Sequence, residues 1–127
     1  RDTNLSVNTN TGANPWCVGY STVAGCDCTS TDLAAITSCV VPVAGTNVLQ
    51  VVKGTDYTGV TIAESFTGTG TTFTLPRNLA SVGGTVCVIS GSWQLNIVIS
   101  ARGRIKVCNP NSNSMPGYEA CGDTSPC

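Results

Sequence analysis

Three observations predict an all-β fold for this chain. Charged residues occupy only 10% of its 127 positions, too few for solvent-facing helices, which lean on Glu, Lys, Arg and Ala. Apolar and polar residues alternate with period two in one segment after another, and turn signals recur about every eight to twelve residues. Eight cysteines with no histidine point to a disulfide framework in an oxidising, extracytoplasmic compartment. Together these predict two antiparallel sheets packed as a sandwich, or one strongly bent sheet, in a single domain over residues 1–127.

The elements follow in chain order. Asn4-Leu5-Ser6-Val7-Asn8 alternates as a first strand with Leu5 and Val7 inward, Thr11 to Pro15 turns the chain, and Trp16 to Tyr20 returns as a second strand. The irregular stretch from Cys26 to Pro42 reads as a disulfide-tied excursion, in which Thr31 to Ile36 is expected to form one helical turn capped by Thr31 or Asp32. Val48 to Lys53 and Val60 to Phe66 are strands by β-branched content, and Gly68-Thr69-Gly70 turns into a strand ending at Leu75. Thr85 to Ser90 and Ser92 to Ser100 pair across Gly91. The tail from Asn109 to Cys121 has no apolar period and two prolines, so it would fray unless attached.

Charge is concentrated at one place. The net charge is −1, yet Arg102, Arg104 and Lys106, three of the six cations, fall within five positions. Trp93, Leu95, Ile97 and Ile99 alternate with Gln94, Asn96 and Ser100, predicting a strand with one buried face. Ala101-Arg102-Gly103 then forms a hairpin turn, with glycine free to take positive φ. The returning strand carries Arg104 and Lys106 on one face and Ile105 and Val107 on the other. As a plain strand face these cations confer solubility and protect an edge. As a site they offer anion contact, because Arg presents a planar fork and a second cation two positions on lies about 6.5 to 7 Å away, near the spacing of successive phosphates.

Other functions find less support in the residues. A near-neutral chain is no globally basic nucleic-acid binder. Zinc would need converging ligands in paired spacing, and Cys26-Asp27-Cys28 is too tight for that, so neither metal nor cofactor is expected. Without histidine, and with Asp2, Asp27, Asp32, Asp56, Glu64, Glu119 and Asp123 scattered, no catalytic set stands out and an enzyme is not expected. All eight cysteines, Cys17, Cys26, Cys28, Cys39, Cys87, Cys108, Cys121 and Cys127, are assigned to disulfides. Their connectivity is open apart from local pairings, Cys108 with Cys121 foremost and Cys28 with Cys39 second. No apolar run reaches the ~18 to 20 residues of a membrane span. No signal peptide opens the chain, and Arg1-Asp2-Thr3 reads as the middle of something, so a processed or truncated fragment is expected.

Trp16-Cys-Val-Gly-Tyr20, Gly25-Cys-Asp-Cys28, Ser92-Trp-Gln-Leu95, Gly103-Arg-Ile-Lys-Val-Cys108 and Pro116-Gly-Tyr-Glu-Ala-Cys121 together resemble the FimT/GspH family of minor type IV pilins and pseudopilins. The resemblance implies a Gram-negative inner-membrane prepilin whose apolar N-terminal helix would precede Arg1, and whose globular head is a two-sheet β-sandwich. It implies other pilins as partners, in a type IV pilus or a type II secretion pseudopilus, and a location at the inner membrane, in the periplasm and on the pilus surface. The FimT branch, linked to natural transformation, carries a Gly-Arg-x-Arg element that contacts DNA. Here Gly103, Arg104 and Ile105 match it, and Lys106 stands where the second Arg would be, keeping the charge and losing the fork. Pilus-priming and secretion members share the scaffold without a DNA role. The rival reading is a secreted β-module that binds a glycan or a protein through Trp16, Tyr20 or Tyr57.

Overall fold

The computed structural model describes residues 3–8, 15–68, 70–75, 77–110 and 115–122. The described residues form eleven strands: β1 Thr3–Asn8, β2 Cys17–Ser21, β3 Val40–Val43, β4 Thr46–Leu49, β5 Val51–Lys53, β6 Val60–Glu64, β7 Gly70–Thr74, β8 Leu79–Ala80, β9 Gly84–Ser90, β10 Trp93–Ile99 and β11 Ile105–Cys108. One 3-10 turn, Gly54–Asp56, accompanies them, and no α-helix occurs among the described residues. The fold is all-β, as composition and alternation predict. Among the described residues no helix is long and apolar enough to cross a membrane.

Two sheets, of strand order β5-β2-β1-β7-β8 and β11-β10-β9-β6, are antiparallel throughout. Both contribute to one apolar core. Val7 and Ala80 come from the first sheet and Ile62, Val86 and Ile99 from the second, with Trp16 and Phe66 filling in from the loops. The predicted β1–β2 hairpin forms, with Asn8 opposite Cys17 and Asn4 opposite Ser21. Leu5 and Val7 face the core as expected, but Asn4 and Ser6 on the opposite face are buried as well. β1 lies inside its sheet, and its outer polar face is satisfied locally: Asn4 Nδ2 donates to the Ser21 carbonyl and its Oδ1 accepts from Thr72 Oγ1 at 2.6 Å.

The cysteine-rich excursion covers part of that outer face. Disulfides join Cys17 to Cys28 and Cys26 to Cys39, so the expected Cys28–Cys39 pairing is incorrect. Sequence proximity favoured the shorter loop, whereas the packing of the loop on β2 sets the pairs. A Cβ on Gly19 would collide with the Cys39 sulfur, so glycine at this position lets the cystines lie directly on the sheet. The helical turn expected over Thr31–Ile36 is absent. Asp32 Oδ1 instead accepts from the Ala34 amide, and the Asp32 and Ala35 carbonyls accept from the Ala35 and Ser38 amides, giving successive tight turns.

The predicted strand over Val48–Lys53 is two strands interrupted at Gln50. β4 pairs with β3 in a separate two-stranded hairpin, and β5 pairs with β2. Gln50 joins the two by donating its amide to the Cys39 carbonyl and accepting from the Tyr20 amide. Cys108 and Cys121 are bonded as expected, and Cys87 is also disulfide-bonded. The turn expected at Thr11–Pro15 falls mostly outside the described residues, as do Cys127, Asp2 and Asp123.

Candidate nucleic-acid interface

β10 and β11 pair in antiparallel register, Ile99 opposite Ile105 and Asn96 opposite Cys108, and leave Ser100 to Arg104 as the connection. Ser100 organises this turn. Its amide donates to the Arg104 carbonyl at 3.0 Å, its carbonyl accepts from the Gly103 amide at 2.9 Å, and its hydroxyl accepts from the Arg104 amide at 3.2 Å. Gly103 has φ of +79°, the left-handed backbone that glycine reaches without cost, and a Cβ there would strike the Asn78 carbonyl. The tip is anchored across the two sheets by the Ala80 amide, which donates to the Ala101 carbonyl at 3.2 Å. Arg102 and Arg104 are therefore exposed side chains on a backbone held by four hydrogen bonds.

Lys106 differs from the two arginines. It is half-buried, and its Nζ lies 3.7 Å from Glu119 Oε1. Glu119 arrives there because the tail docks beside the end of β11. Asn109 Nδ2 donates to the Met115 and Tyr118 carbonyls, its Oδ1 accepts from the Met115 amide, and backbone bonds join it to Glu119 and Cys121. The tail is thus attached, as Cys108–Cys121 required. The Lys106–Glu119 contact was legible in principle, since each residue stands two positions before a cysteine of that disulfide.

The alternation of β11 places Arg104 and Lys106 opposite Ile105 and Val107, as predicted, but Ile105 and Val107 are 58% and 40% exposed. β11 is an edge strand, and its apolar side overhangs the core. β10 is graded in the same way, from Ile99 at 4% exposure to Trp93 at 48%, while Asn96, expected to face solvent, is buried at 2%. The Asn78 carbonyl abuts the tip, and exposed Arg77 is its neighbour in sequence.

The aromatic alternative is narrowed. Trp16 is buried, its indole N–H donates to the Val60 carbonyl at 2.7 Å, and it stacks on half-exposed Tyr57 with ring centroids 6.3 Å apart. A cleft of about 450 Å³ beside it is bounded by Asn8, Thr29, Lys53 and Thr55. Among the described residues no group of three or more Cys, Asp or Glu side chains is placed to hold a metal. No protein-family model, curated protein or solved structure matches the chain.

Proposed function

We propose that this chain is the head of a minor type IV pilin or pseudopilin of the FimT/GspH kind, and that its β10–β11 tip binds nucleic-acid phosphates without reading sequence. The observation that carries the binding reading is the pair of exposed guanidiniums, Arg102 and Arg104, on a rigid tip. An ordered backbone lowers the entropy lost when a mobile anion is engaged. The all-β fold, the antiparallel sheets and the disulfides are compatible with a pilin-head sandwich in the periplasm or on a pilus. Lys106 contributes less than residue type alone implies, because Glu119 offsets its charge.

Phosphate contacts carry no base information. Two of them contribute a slope of about −1.8 in log K against log salt on duplex DNA, so one head binds weakly and several along a filament gain by multivalency. In low-salt mobility shifts the wild-type head retards duplexes of unrelated sequence equally. Arg102→Gln with Arg104→Gln abolishes the shift while the melting temperature stays unchanged, and Lys106→Gln weakens it less. Retardation that survives loss of both arginines overturns the DNA reading. The filament reading has a separate test in the coding sequence before Arg1, where it requires a prepilin leader followed by an apolar helix; a conventional signal peptide there overturns it.

A further inference from the structure

The outer face of the first sheet carries a cleft with polar side chains that have no partner among the described residues. Asn8 on β1, Cys17 on β2 and Lys53 on β5 form one cross-strand row, since Cys17 lies opposite Asn8 on one side and Lys53 on the other. Residues directly opposite across antiparallel strands share a face. The Cys17–Cys28 bridge lies on that face, and Val51, two positions before Lys53, packs against the same cystines. Asn8, Cys17, Cys28 and Lys53 all line the cleft of about 450 Å³, which Trp16, Thr29 and Thr55 also border.

The cleft is held in shape by its surroundings. Cys17 and Cys28 are buried and joined covalently. Thr55 sits in the 3-10 turn Gly54–Asp56, where the Gly54 amide donates to the Trp16 carbonyl at 2.7 Å and a Cβ on Gly54 would strike the indole. Thr29 is fixed by Asp27, whose Oδ1 accepts from both its hydroxyl and its amide. Further along the same face the polar side chain of Asn4 is used internally, on Ser21 and Thr72. By contrast, the side chains of Asn8, Lys53 and Thr55 make no hydrogen bond or ion pair with the described residues, although Lys53 is half-buried.

We propose that this cleft binds a uronic acid, a sugar whose ring carries a carboxylate. Lys53 takes the carboxylate in a charge-assisted hydrogen bond, and ring hydroxyls exchange bonds with the Asn8 amide and the Thr55 hydroxyl. The Thr29 hydroxyl, whose proton is committed to Asp27, accepts one more. The backbones of Asn8 and Lys53 stand about 9.5 Å apart, two strand spacings, a span that admits one sugar ring between cation and amide. The volume falls within the range of small-ligand sites, about 300 to 1,000 Å³. Charge selects a hydroxyl-rich monoanion: Lys53 is the only cation among the described lining residues, and the Asp27 carboxylate is bonded to Thr29, so a phosphate or a polyanion would meet opposing charges. The site lies toward the β5 edge of the sheet, whereas the β10–β11 tip is bonded to β8 at the other edge. It therefore needs neither the DNA reading nor the pilin reading.

The test is an NMR titration of the isotope-labelled chain with glucuronate and galacturonate, with glucose, galactose and acetate as controls. At least one uronate shifts the amides of Thr29, Lys53 and Thr55 saturably, and the matching neutral sugar and acetate bind at least about tenfold more weakly. Lys53→Gln weakens uronate binding at least about tenfold. Arg102→Gln with Arg104→Gln leaves it as in wild type, which separates the cleft from the basic tip. Circular dichroism checks that each variant is folded, and the ligand comparison on wild type decides the matter without them. Four results overturn the inference: no saturable shift at those three amides, a neutral sugar or acetate that binds as tightly as the uronate, a folded Lys53→Gln variant with wild-type affinity, or binding that disappears with the tip arginines.

Discussion

At the residue scale, neighbours decide what a charge is worth. Arg102 and Arg104 share a turn with no carboxylate contact among the described residues, whereas Lys106 meets Glu119. Three cations that look equivalent in sequence thus divide into two available and one partly neutralised. Asp27 shows the same dependence. The Thr29 hydroxyl donates to its Oδ1 at 2.6 Å and the Thr29 amide at 2.9 Å, and these bonds, the hydroxyl first, hold its carboxyl below the ordinary value of 3.8. A depressed carboxylate stabilises the fold above its unfolded pKa, and that contribution disappears as pH falls through the folded value. Thr29→Ala should therefore lower the melting temperature slightly at pH 7 and leave it unchanged near pH 2. Melting curves at both values check this, and an equal deficit at both would assign the effect to packing.

At the element scale, the best-read strands were those whose apolar residues alternate and whose partner is the next strand along. β9 and β10 are separated by Gly91 and Ser92 and pair from Ser90–Trp93 to Gly84–Ile99, so local turn chemistry specified their register. The β3–β4 hairpin was missed because Val40-Val41-Pro42-Val43 lies inside a cysteine-rich segment that reads as irregular. Its turn uses Ala44, a non-glycine residue at φ 51°, before Gly45. Proline is tolerated in β3 because the strand has a single partner in its sheet. The β10–β11 turn makes the most direct prediction at this scale. Gly103→Ala should cost about 1 to 2 kcal/mol from the left-handed backbone alone, and more because the new methyl must displace the Asn78 carbonyl. Denaturant unfolding measures the loss, and a variant as stable as wild type would show that the tip is not held against β8.

At the scale of the whole molecule, cystines occupy positions where a larger protein would place apolar side chains. Cys28, Cys39, Cys87 and Cys108 are almost fully buried, and a cluster of four cysteines forms a second core beneath the loop on β2. Removing one bridge therefore opens a buried site as well as a loop. Cys108→Ser with Cys121→Ser should cost about 3 kcal/mol by chain entropy, for a loop with sequence separation 13. It should also release the tail from Asn109, freeing Lys106 from Glu119. Thermal unfolding measures the first effect, and faster proteolysis near Tyr118 reports the second. Unchanged proteolysis would mean that the Asn109 bonds hold the tail without the bridge.

By itself the sequence determined an all-β chain, its longest strands, the Cys108–Cys121 bridge and a basic turn, because alternation, turn residues and short loops are local properties of a chain. Only the tertiary structure decided the Cys17–Cys28 and Cys26–Cys39 pairs, the burial of Asn4, Asn96 and Trp16, the exposure of Ile105, and the approach of Glu119 and Asn78 to the basic hairpin. Each depends on which segment covers a given face. Period two tells which residues share a side of a strand, but the packing of distant segments determines whether that side is covered, overhanging or in water.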